Sequence, residues 1–383
     1  MDAADVAVVG AGPAGATAAF RLARAGRSVL LLDPRLGGRA SPKPGDALAG
    51  AALRVLRTCG LPLPGESAAH RPIGGSISIW GAPEPVYRDF LAEPDGPGWR
   101  LDRGVFEADL VAAAAAKGAC VQARALRGAT REGDVWRLRL NDGSEGRARW
   151  LIDASGRAAG AARRLGAHRQ RDEDLVAIVG HGRPDPGFLL ERSLVETTPQ
   201  GWWYAAVLPD GRPVFMLHTL PAMATSLRAA PDLWHAALAA TEHVARAFPR
   251  PALEGGLQCF EACGAALDHV RGEGWIACGD AALSFDPCAG QGIFSALYTG
   301  MAAADALHAA LQGDQTSLAA YATTCASIRR TYRARVQAHY AEESRWPSAD
   351  FWRAFSLTMQ RSEDFTFDLD AGARNSGPLL ESR

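Results

Sequence analysis

Lysine is almost missing from this chain. Of 41 basic residues only Lys43 and Lys117 are lysines, so arginine carries nearly all the positive charge and each ammonium can be followed individually. Net charge is missing too. The 41 Lys and Arg against 42 Asp and Glu leave −1, which excludes the basic footprint that nucleic-acid binding requires. No apolar run is long enough to span a bilayer: the longest, Leu110 to Ala116, ends at Lys117. Stable membrane insertion is therefore not expected. Met1–Asp5 has no basic region before the first strand, so a secretory signal is not expected either. The seven cysteines are odd in number and scattered. Cys259 and Cys263 are four apart rather than a C-x-x-C pair, and no His/Cys cluster has metal-ligand spacing. These features predict reduced thiols, a cytoplasmic location and no metal.

What is present begins at the first residues. Val6 to Val9 reads as a buried parallel strand that runs straight into Gly10-Ala11-Gly12-Pro13-Ala14-Gly15, a G-x-G-x-x-G turn. Ala14 to Ala25, with Phe20 and Leu22 at helical spacing, is the crossover to a second apolar strand, Val29 to Leu32, which ends at Asp33. Each glycine has a mechanical task. Gly10 permits the tight turn, Gly12 lets backbone N–H groups approach a pyrophosphate, and Gly15 lets helix and strand pack closely. Phosphates would rest on the helix N-terminus, where unpaired N–H groups and the helix dipole favour negative charge. Asp33 stands where a carboxylate can accept hydrogen bonds from a ribose hydroxyl, and it argues against a 2′-phosphate.

At 383 residues and 48% hydrophobic content, the chain predicts two interleaved domains. After Asp33 comes a turn-rich segment with Arg39, then Lys43 and Asp46, readable as a loop ion pair or as contacts to the far half of the same ligand. A helix ending near Gly60 follows. Ser76 to Trp80 and Val86 to Arg88 alternate like strands of a second, antiparallel layer. Asp102 is a plausible N-cap for a helix running to Lys117. Arg103 at that helix start has the wrong sign for the dipole and calls for an anionic partner, a phosphate or a carboxylate. Strands are expected over Cys120–Leu126, Val135–Leu140 and Ala148–Ile152. The last enters Asp153-Ala154-Ser155-Gly156, a small-residue turn suited to the floor beneath a nucleotide. From Asp174 to Phe260 come strand-like runs, including Trp202 to Leu208 and Pro213 to Leu217, with helices around Leu233–Leu238 and Val244–Phe248. Trp275 to Cys278 returns as a buried strand, and a long Ala-rich helix follows from Ile293. No internal repeat and no second G-x-G-x-x-G after a strand is present, so a separate NAD domain is not expected.

The segment Gly279-Asp280-Ala281-Ala282, Asp286-Pro287 and Gly290-Gln291-Gly292-Ile293 resembles the G-D-A-A…D-P…G-x-G signature of the flavoprotein monooxygenase superfamily, which includes flavin halogenases and geranylgeranyl reductases. Asp280 at a strand end can bind ribityl hydroxyls, or be a simple helix cap. N–H groups of the helix opened by Gly290 and Gly292 can face the flavin N1 and C2 carbonyl, where negative charge gathers on reduction. Pro287 would restrict a loop along the ring, and Cys288 beside it reads as packing.

The resemblance, over roughly residues 5 to 355, implies FAD as cofactor. It implies binding by Gly10, Gly12, Pro13, Ala14, Gly15, Asp33, Arg39, Lys43, Arg103, Ala125 (through its backbone), Gly279, Asp280, Pro287, Gly290, Gln291, Gly292 and Ile293. The implied fold is α/β (α+β overall), a Rossmann-like FAD-binding domain of the aromatic hydroxylase type with an inserted antiparallel-sheet substrate domain and C-terminal helices. Residues 1–70, 101–165 and 266–320 would form the FAD-binding domain, 71–100 and 166–265 the substrate domain, 321–361 a C-terminal helical segment, and 362–383 a loosely ordered tail.

Halogenases of this superfamily carry W-x-W-x-I-P and a lysine that receives hypohalous acid. Trp202 to Pro209 does not fit that motif, and neither lysine suits the role. A closer likeness, on Gly201 to Tyr204, Asp286 to Ile293, Glu343 to Trp346 and Phe351-Trp352, is to the flavoproteins that mature tryptophan-derived quinone cofactors in amine oxidases and quinohaemoprotein amine dehydrogenase. It implies that reduced FAD forms a C4a-hydroperoxide and hydroxylates an aromatic side chain, tryptophan, of a partner protein or peptide. Electrons would come from an external flavin reductase or NAD(P)H. Trp203, Tyr204, His218 and Pro287 are then the candidate catalytic residues. For the aromatics the alternative is core packing, since alternate strand residues face opposite sides. For His218 it is a structural histidine. An isoprenoid or small-molecule reductase, a halogenase lacking its lysine and a flavin-carrying chaperone are the competing readings.

Overall fold

The computed structural model describes residues 3–38, 44–90, 93–184, 191–248, 253–314 and 316–361, with the side chains of 357–361 left aside. The chain opens with β1 (Ala4–Val9), α1 (Pro13–Arg24), β2 (Val29–Leu32), β3 (Ala47–Leu48) and α2 (Ala52–Cys59). Gly60, in the left-handed region at φ 76°, ends α2 as a C-cap glycine does. Next come β4 (Arg71–Ile73), β5 (Gly75–Ile79), β6 (Val86–Asp89), β7 (Gly98–Arg100) and α3 (Arg103–Ala116). The Asp102 carboxylate accepts the Val105 N–H at 3.0 Å, capping α3. Then follow β8 (Cys120–Gln122), β9 (Leu126–Glu132), β10 (Val135–Leu140) and β11 (Glu145–Asp153).

The expected single strand Cys120–Leu126 is in fact two. The chain kinks at Arg124, whose N–H reaches the Gln122 carbonyl at 2.8 Å. This leaves β8 parallel to β2 and sends β9 into an antiparallel ribbon with β10 and β11.

The second half adds α4 (Gly160–Arg164), β12 (Arg169–Arg171), β13 (Val176–Gly182), β14 (Arg192–Thr198), β15 (Gly201–Val207) and β16 (Pro213–Thr219). Helices α5 (Pro221–Ala229), α6 (Pro231–Ala239) and α7 (His243–Ala247) precede β17 (Leu253–Glu261). Helix α5 was not anticipated; it starts on Pro221, a residue favoured at the first helical position. The chain closes with β18 (Ala265–Leu267), β19 (Arg271–Gly272), β20 (Trp275–Ala277), β21 (Leu283–Ser284), α8 (Gly292–Leu311), α9 (Thr316–Ala341) and α10 (Asp350–Arg361).

Two large sheets organise these elements. In the first, β20, β11, β1, β2 and β8 lie side by side and parallel, so the central strands β1 and β2 and the end of β11 are apolar and buried, and helices α1 and α8 cover a face. In the second, the order is β17-β13-β16-β15-β14-β5-β6, antiparallel except for β14 beside β5. Both faces of its central strands are buried. One carries Trp203, Phe215 and Leu217 against α5, α6 and α7 through Trp234. The other carries Trp202, Met216 and Val179 against Tyr340 and the aromatics of α10.

Close backbone approaches lock the first sheet to its helices. A Cβ on Gly15 would lie 1.9 Å from the Gly10 carbonyl oxygen, and one on Gly300 of α8 would lie 2.3 Å from the Ala14 carbonyl oxygen. We predict that Gly15→Ala, which must push α1 off β1, lowers stability by about 2 kcal/mol or more. Urea unfolding followed by circular dichroism checks this; an unchanged midpoint would contradict it.

Candidate active site

The turn after β1 builds the first half of the site. Gly10 sits at φ 105°, where side chains are strained, and a Cβ there would meet the Ala154 carbonyl at 2.3 Å. Gly12 differs: it precedes α1 as N-cap, no side chain caps that helix, and a Cβ would have nothing within 4 Å. Pro13 takes the first helical position, where its missing N–H costs nothing. Ala14 and Gly15 are buried contacts of the helix and not open surface. Open space before an uncapped helix N-terminus fits a diphosphate.

Asp33, 4% exposed at the end of β2, accepts the Ala11 N–H at 2.9 Å and three hydrogen bonds from Arg35. Burial pushes its carboxyl up, but Arg35 and the Ala11 amide outweigh it and hold the pKa at about 2. A cavity of about 240 Å³ lies beside it, lined by Gly10, Asp33, Arg35, Arg124, Ala125 and Arg164 among others. Ala125 borders this cavity, yet both its backbone groups are engaged by Asn141: its N–H donates to Oδ1 at 2.9 Å and its carbonyl accepts the Asn141 N–H at 3.0 Å. Arg35, Arg124 and Arg164 had no motif to single them out. The buried Asp153 carboxylate accepts N–H bonds from Ser155, Ala161 and Ala162 at 2.7–3.0 Å and so fixes the small-residue turn after β11.

Arg39 and Lys43 lie outside the described residues. Arg103 meets Glu107, a carboxylate on its own helix, at 2.6 Å, and the carbonyls of Pro44 and Gly45 at 3.3 and 2.5 Å. Asp46 pairs with Arg100 at 2.7 Å, both nearly inaccessible, and the Arg100 guanidinium also donates to the Tyr204 hydroxyl at 2.5 Å. Burial pushes the Tyr204 phenol up to about 12.

The second half of the site forms where β20 ends. Gly279, at φ 61°, is pressed against Ala14, and its N–H donates to Thr299 Oγ1 at 2.9 Å. Asp280 follows, half-buried; burial raises its pKa against the lowering influence of Arg157, which lies 3.6 Å away. Arg157 also binds the Cys263 and Phe285 carbonyls at 2.6 and 2.8 Å. Farther on, Pro287, Gly290, Gln291 and Gly292 are exposed, while Asp286 and Ile293 on either side are buried. No side chain caps α8 at Gln291, and Cβ atoms on Gly290 or Gly292 would meet nothing within 4 Å. This is a second open helix N-terminus, suited to a group that gathers negative charge. Burial and the neighbouring Asp286 push the Cys288 thiol well above its ordinary range, which removes it as a nucleophile.

The sheet supplies the third wall. Strand alternation puts Trp202 and Tyr204 on the face that packs with Cys288, Tyr332 and Tyr340. Trp203 points the other way, into the core against Trp234 at 5.4 Å between ring centroids, which corrects the expectation that it lines a substrate pocket. His218 stacks on Trp202 at 3.6 Å between centroids, and among the described residues neither ring nitrogen has a hydrogen-bond partner. Burial holds its pKa at about 3, so it is neutral at ordinary pH and a feeble base. Trp202 Nε1 donates to the Tyr340 hydroxyl at 2.8 Å, which donates to Asp286 Oδ2 at 2.7 Å. The sheet and the glycine turn are thereby one hydrogen-bonded unit.

A diphosphate cradle at α1 and an open second helix end at α8, joined through a mixed α/β core, define an FAD-dependent oxidoreductase of the aromatic hydroxylase type of fold. The chain belongs to the FAD binding domain family, whose model matches residues 3–335. It is 27% identical over 379 residues to LodB of Marinomonas mediterranea, named as an FAD-dependent oxidoreductase, covering 94% of this chain and all of that one. It is 32% identical over 332 residues to a menaquinone reductase of Mycobacterium tuberculosis, covering 80% of this chain and 77% of the relative. Among solved structures, the peptidyl tryptophan dihydroxylase QhpG superposes with TM-score 0.76 at 24% identity, covering 92% of this chain and 79% of that one. The flavin-dependent halogenase CmlS superposes with TM-score 0.80 at 20% identity, covering 97% and 72%. Those two likenesses establish the fold. Among the described residues no helix is long and apolar enough to cross a membrane.

Gly12→Ala and Gly292→Ala each add a methyl to open space at a helix N-terminus. Both variants are expected to keep the apo melting temperature within a few degrees and to bind FAD at least tenfold more weakly, a change worth about 1.4 kcal/mol. Flavin fluorescence titration and thermal melts provide the check. Unchanged FAD affinity in both would remove these helix ends from the site.

Proposed function

We propose that this protein is an FAD-dependent monooxygenase that hydroxylates an aromatic side chain, tryptophan, of a partner protein or peptide. The observation that carries the reading is the partly exposed aromatic face of Tyr204, backed by the buried Trp202 and His218 and tied through Trp202 and Tyr340 to the Asp286 turn. Such a wall suits an indole, which stacks and buries apolar area without needing a charged partner. Support also comes from the end-to-end match to LodB and from the fold shared with a peptidyl tryptophan dihydroxylase.

On this reading Gly10, Gly12 and α1 hold the diphosphate of FAD, Asp33 the ribose, Asp280 the ribityl chain, and Gly290, Gly292 and α8 the ring. Bound FAD supplies the redox chemistry, two-electron reduction followed by transfer of one oxygen atom from dioxygen. The chain's own contribution is mostly positional. Pro287 and the glycine turn define where the ring sits, Tyr204 is held by Arg100, and the aromatic wall excludes water from the face it shares with the turn. Electrons would arrive from an external flavin reductase or NAD(P)H.

The 32% identity to a menaquinone reductase favours a second reading, reduction of a small molecule bearing an isoprenoid chain. Halogenation has less support. Lys117 caps the exposed end of α3, and Lys43 lies outside the described residues.

The test is to reduce the FAD-loaded protein, admit oxygen and follow tryptophan-containing proteins and peptides by mass spectrometry. Mass should rise in steps of one oxygen atom, located on an indole. Oxygen consumption that leaves every indole unmodified would reject the proposal, and anaerobic saturation of a prenyl chain would establish the reductase instead.

A further inference from the structure

Behind the Asp286 turn lies a group of buried acids that the reading above does not use. Glu173 follows β12 and is 3% exposed. Its Oε1 accepts the Gly264 N–H at 2.5 Å, while Oε2, also buried, has no hydrogen-bond partner among the described residues. A Cβ on Gly264 would touch the Tyr332 hydroxyl at 2.6 Å, and that hydroxyl in turn accepts the Asp286 N–H at 2.7 Å. Glu173 and Asp286 thus stand on two sides of the Gly264 and Tyr332 contact.

The surrounding cations belong to other acids. On α9, Arg329 pairs with Asp172 at 2.6 Å and Arg333 lies 3.9 Å from the same carboxylate. Arg169 pairs with Glu261 at 2.5 Å, and Arg157 spends its guanidinium on two carbonyls beside Asp280. The remaining titratable neighbours, Cys263 on the β17 side, Cys288 in the turn and Tyr340 on α9, are all driven toward their neutral forms by burial. Two buried carboxyl groups therefore share one region in which Arg157 lowers both from a distance but, among the described residues, no cation is seen paired with either, and two charges there would be costly. Burial raises both acids, Glu173 the further, and the donors decide which is ionised. Asp286 receives two, the Tyr340 hydroxyl and the Cys288 N–H at 2.8 Å, whereas Glu173 receives one and has a bare oxygen.

We propose that Glu173 is a positioning residue of the flavin site: as an uncharged acid behind Gly264 and Tyr332, it leaves Asp286 the single negative charge beneath the Asp286–Gly290 turn and so preserves the turn that receives the ring. This rests on the assignment of that turn to the ring end of FAD. When Glu173 loses its proton to solvent, a second negative charge faces Asp286, and relief comes from opening the turn.

The sign follows from linkage. Burial first, then Asp286 and Asp172, raise the Glu173 pKa well above 4.5. The stabilisation is complete below 4.5 and is lost as pH rises through the raised value. FAD affinity should therefore fall with rising pH, by up to about tenfold per pH unit, once Glu173 ionises.

The experiment titrates FAD binding by flavin fluorescence from mildly acidic to alkaline buffer, in the wild type and in Glu173→Gln, which keeps the shape and cannot ionise. Alongside it, infrared spectra of FAD-loaded wild type carrying ¹³C-labelled glutamate are recorded across the same range. We expect a protonated carboxyl band at neutral pH that disappears over the interval in which wild-type affinity declines, and a Gln variant of wild-type affinity at low pH that stays flat. A loaded protein lacking that band, or a Gln variant that follows the wild type at every pH, overturns the proposal while leaving the flavin assignment intact. If Glu173→Gln does not fold, the band and the wild-type titration still decide, since a band that titrates apart from the affinity loss refutes the link. Wild type that never binds FAD sinks the flavin reading itself.

Discussion

The structure depends on the contact between α1 and α8. Gly300 lets α8 lie against the Ala14 carbonyl, and Gly279, in the left-handed region, lets the turn after β20 rest on the Ala14 side chain. Thr299 reinforces the joint by accepting the Gly279 N–H. Two helix N-termini from segments over 260 residues apart are thereby brought close together, both uncapped. Any side chain at Gly300 would have to move backbone, so the spacing between the two helix ends is set by van der Waals contact and not by flexible groups.

Around this joint the protein spends arginine, not lysine, on its buried pairs. Arg100 with Asp46 and Arg329 with Asp172 are almost fully removed from water, and Arg345 closes on the buried Glu343. Burial and the Arg345, Thr197 and Gly81 bonds work against each other at Glu343, and the bonds prevail, holding its pKa at about 2. A planar, always-charged guanidinium can satisfy several acceptors at once, which suits seams where strands, turns and helices meet. Arg157 does this between the turn after β11, the end of β17 and the Asp280 segment. Such pairs add little net stability, but losing one partner would strand a buried charge.

The same fold serves proteins named as halogenase, reductase and tryptophan dihydroxylase, so the scaffold by itself does not choose the reaction. In this chain the face opposite the glycine turn is aromatic. There Tyr204 is partly exposed, and behind it Trp202 and His218 are fully buried among Trp80, Tyr340 and Trp352. The hydrogen bonds from Trp202 through Tyr340 to Asp286 make the position of the sheet and that of the turn a single structural variable.

Much of this was legible in the residues alone. Period-two and continuous apolar runs marked β1, β2, β10, β15 and β16, and Asp102 announced the start of α3, because local backbone preferences and one-sided burial act over a few residues. The two glycine motifs were readable for the same reason, since each is one turn with one helix. Other features were decided by tertiary structure. Which of Trp202 and Trp203 faces the turn depends on the register of β15 against β14 and β16, and alternation alone leaves both choices open. The Asp46–Arg100 pair and the placement of Glu173 behind Asp286 join residues tens to more than a hundred positions apart, and no local pattern encodes them. Sequence determined where the chain can turn and where a phosphate can rest; only the packed fold decided which charges share an interior and which aromatic face meets the site.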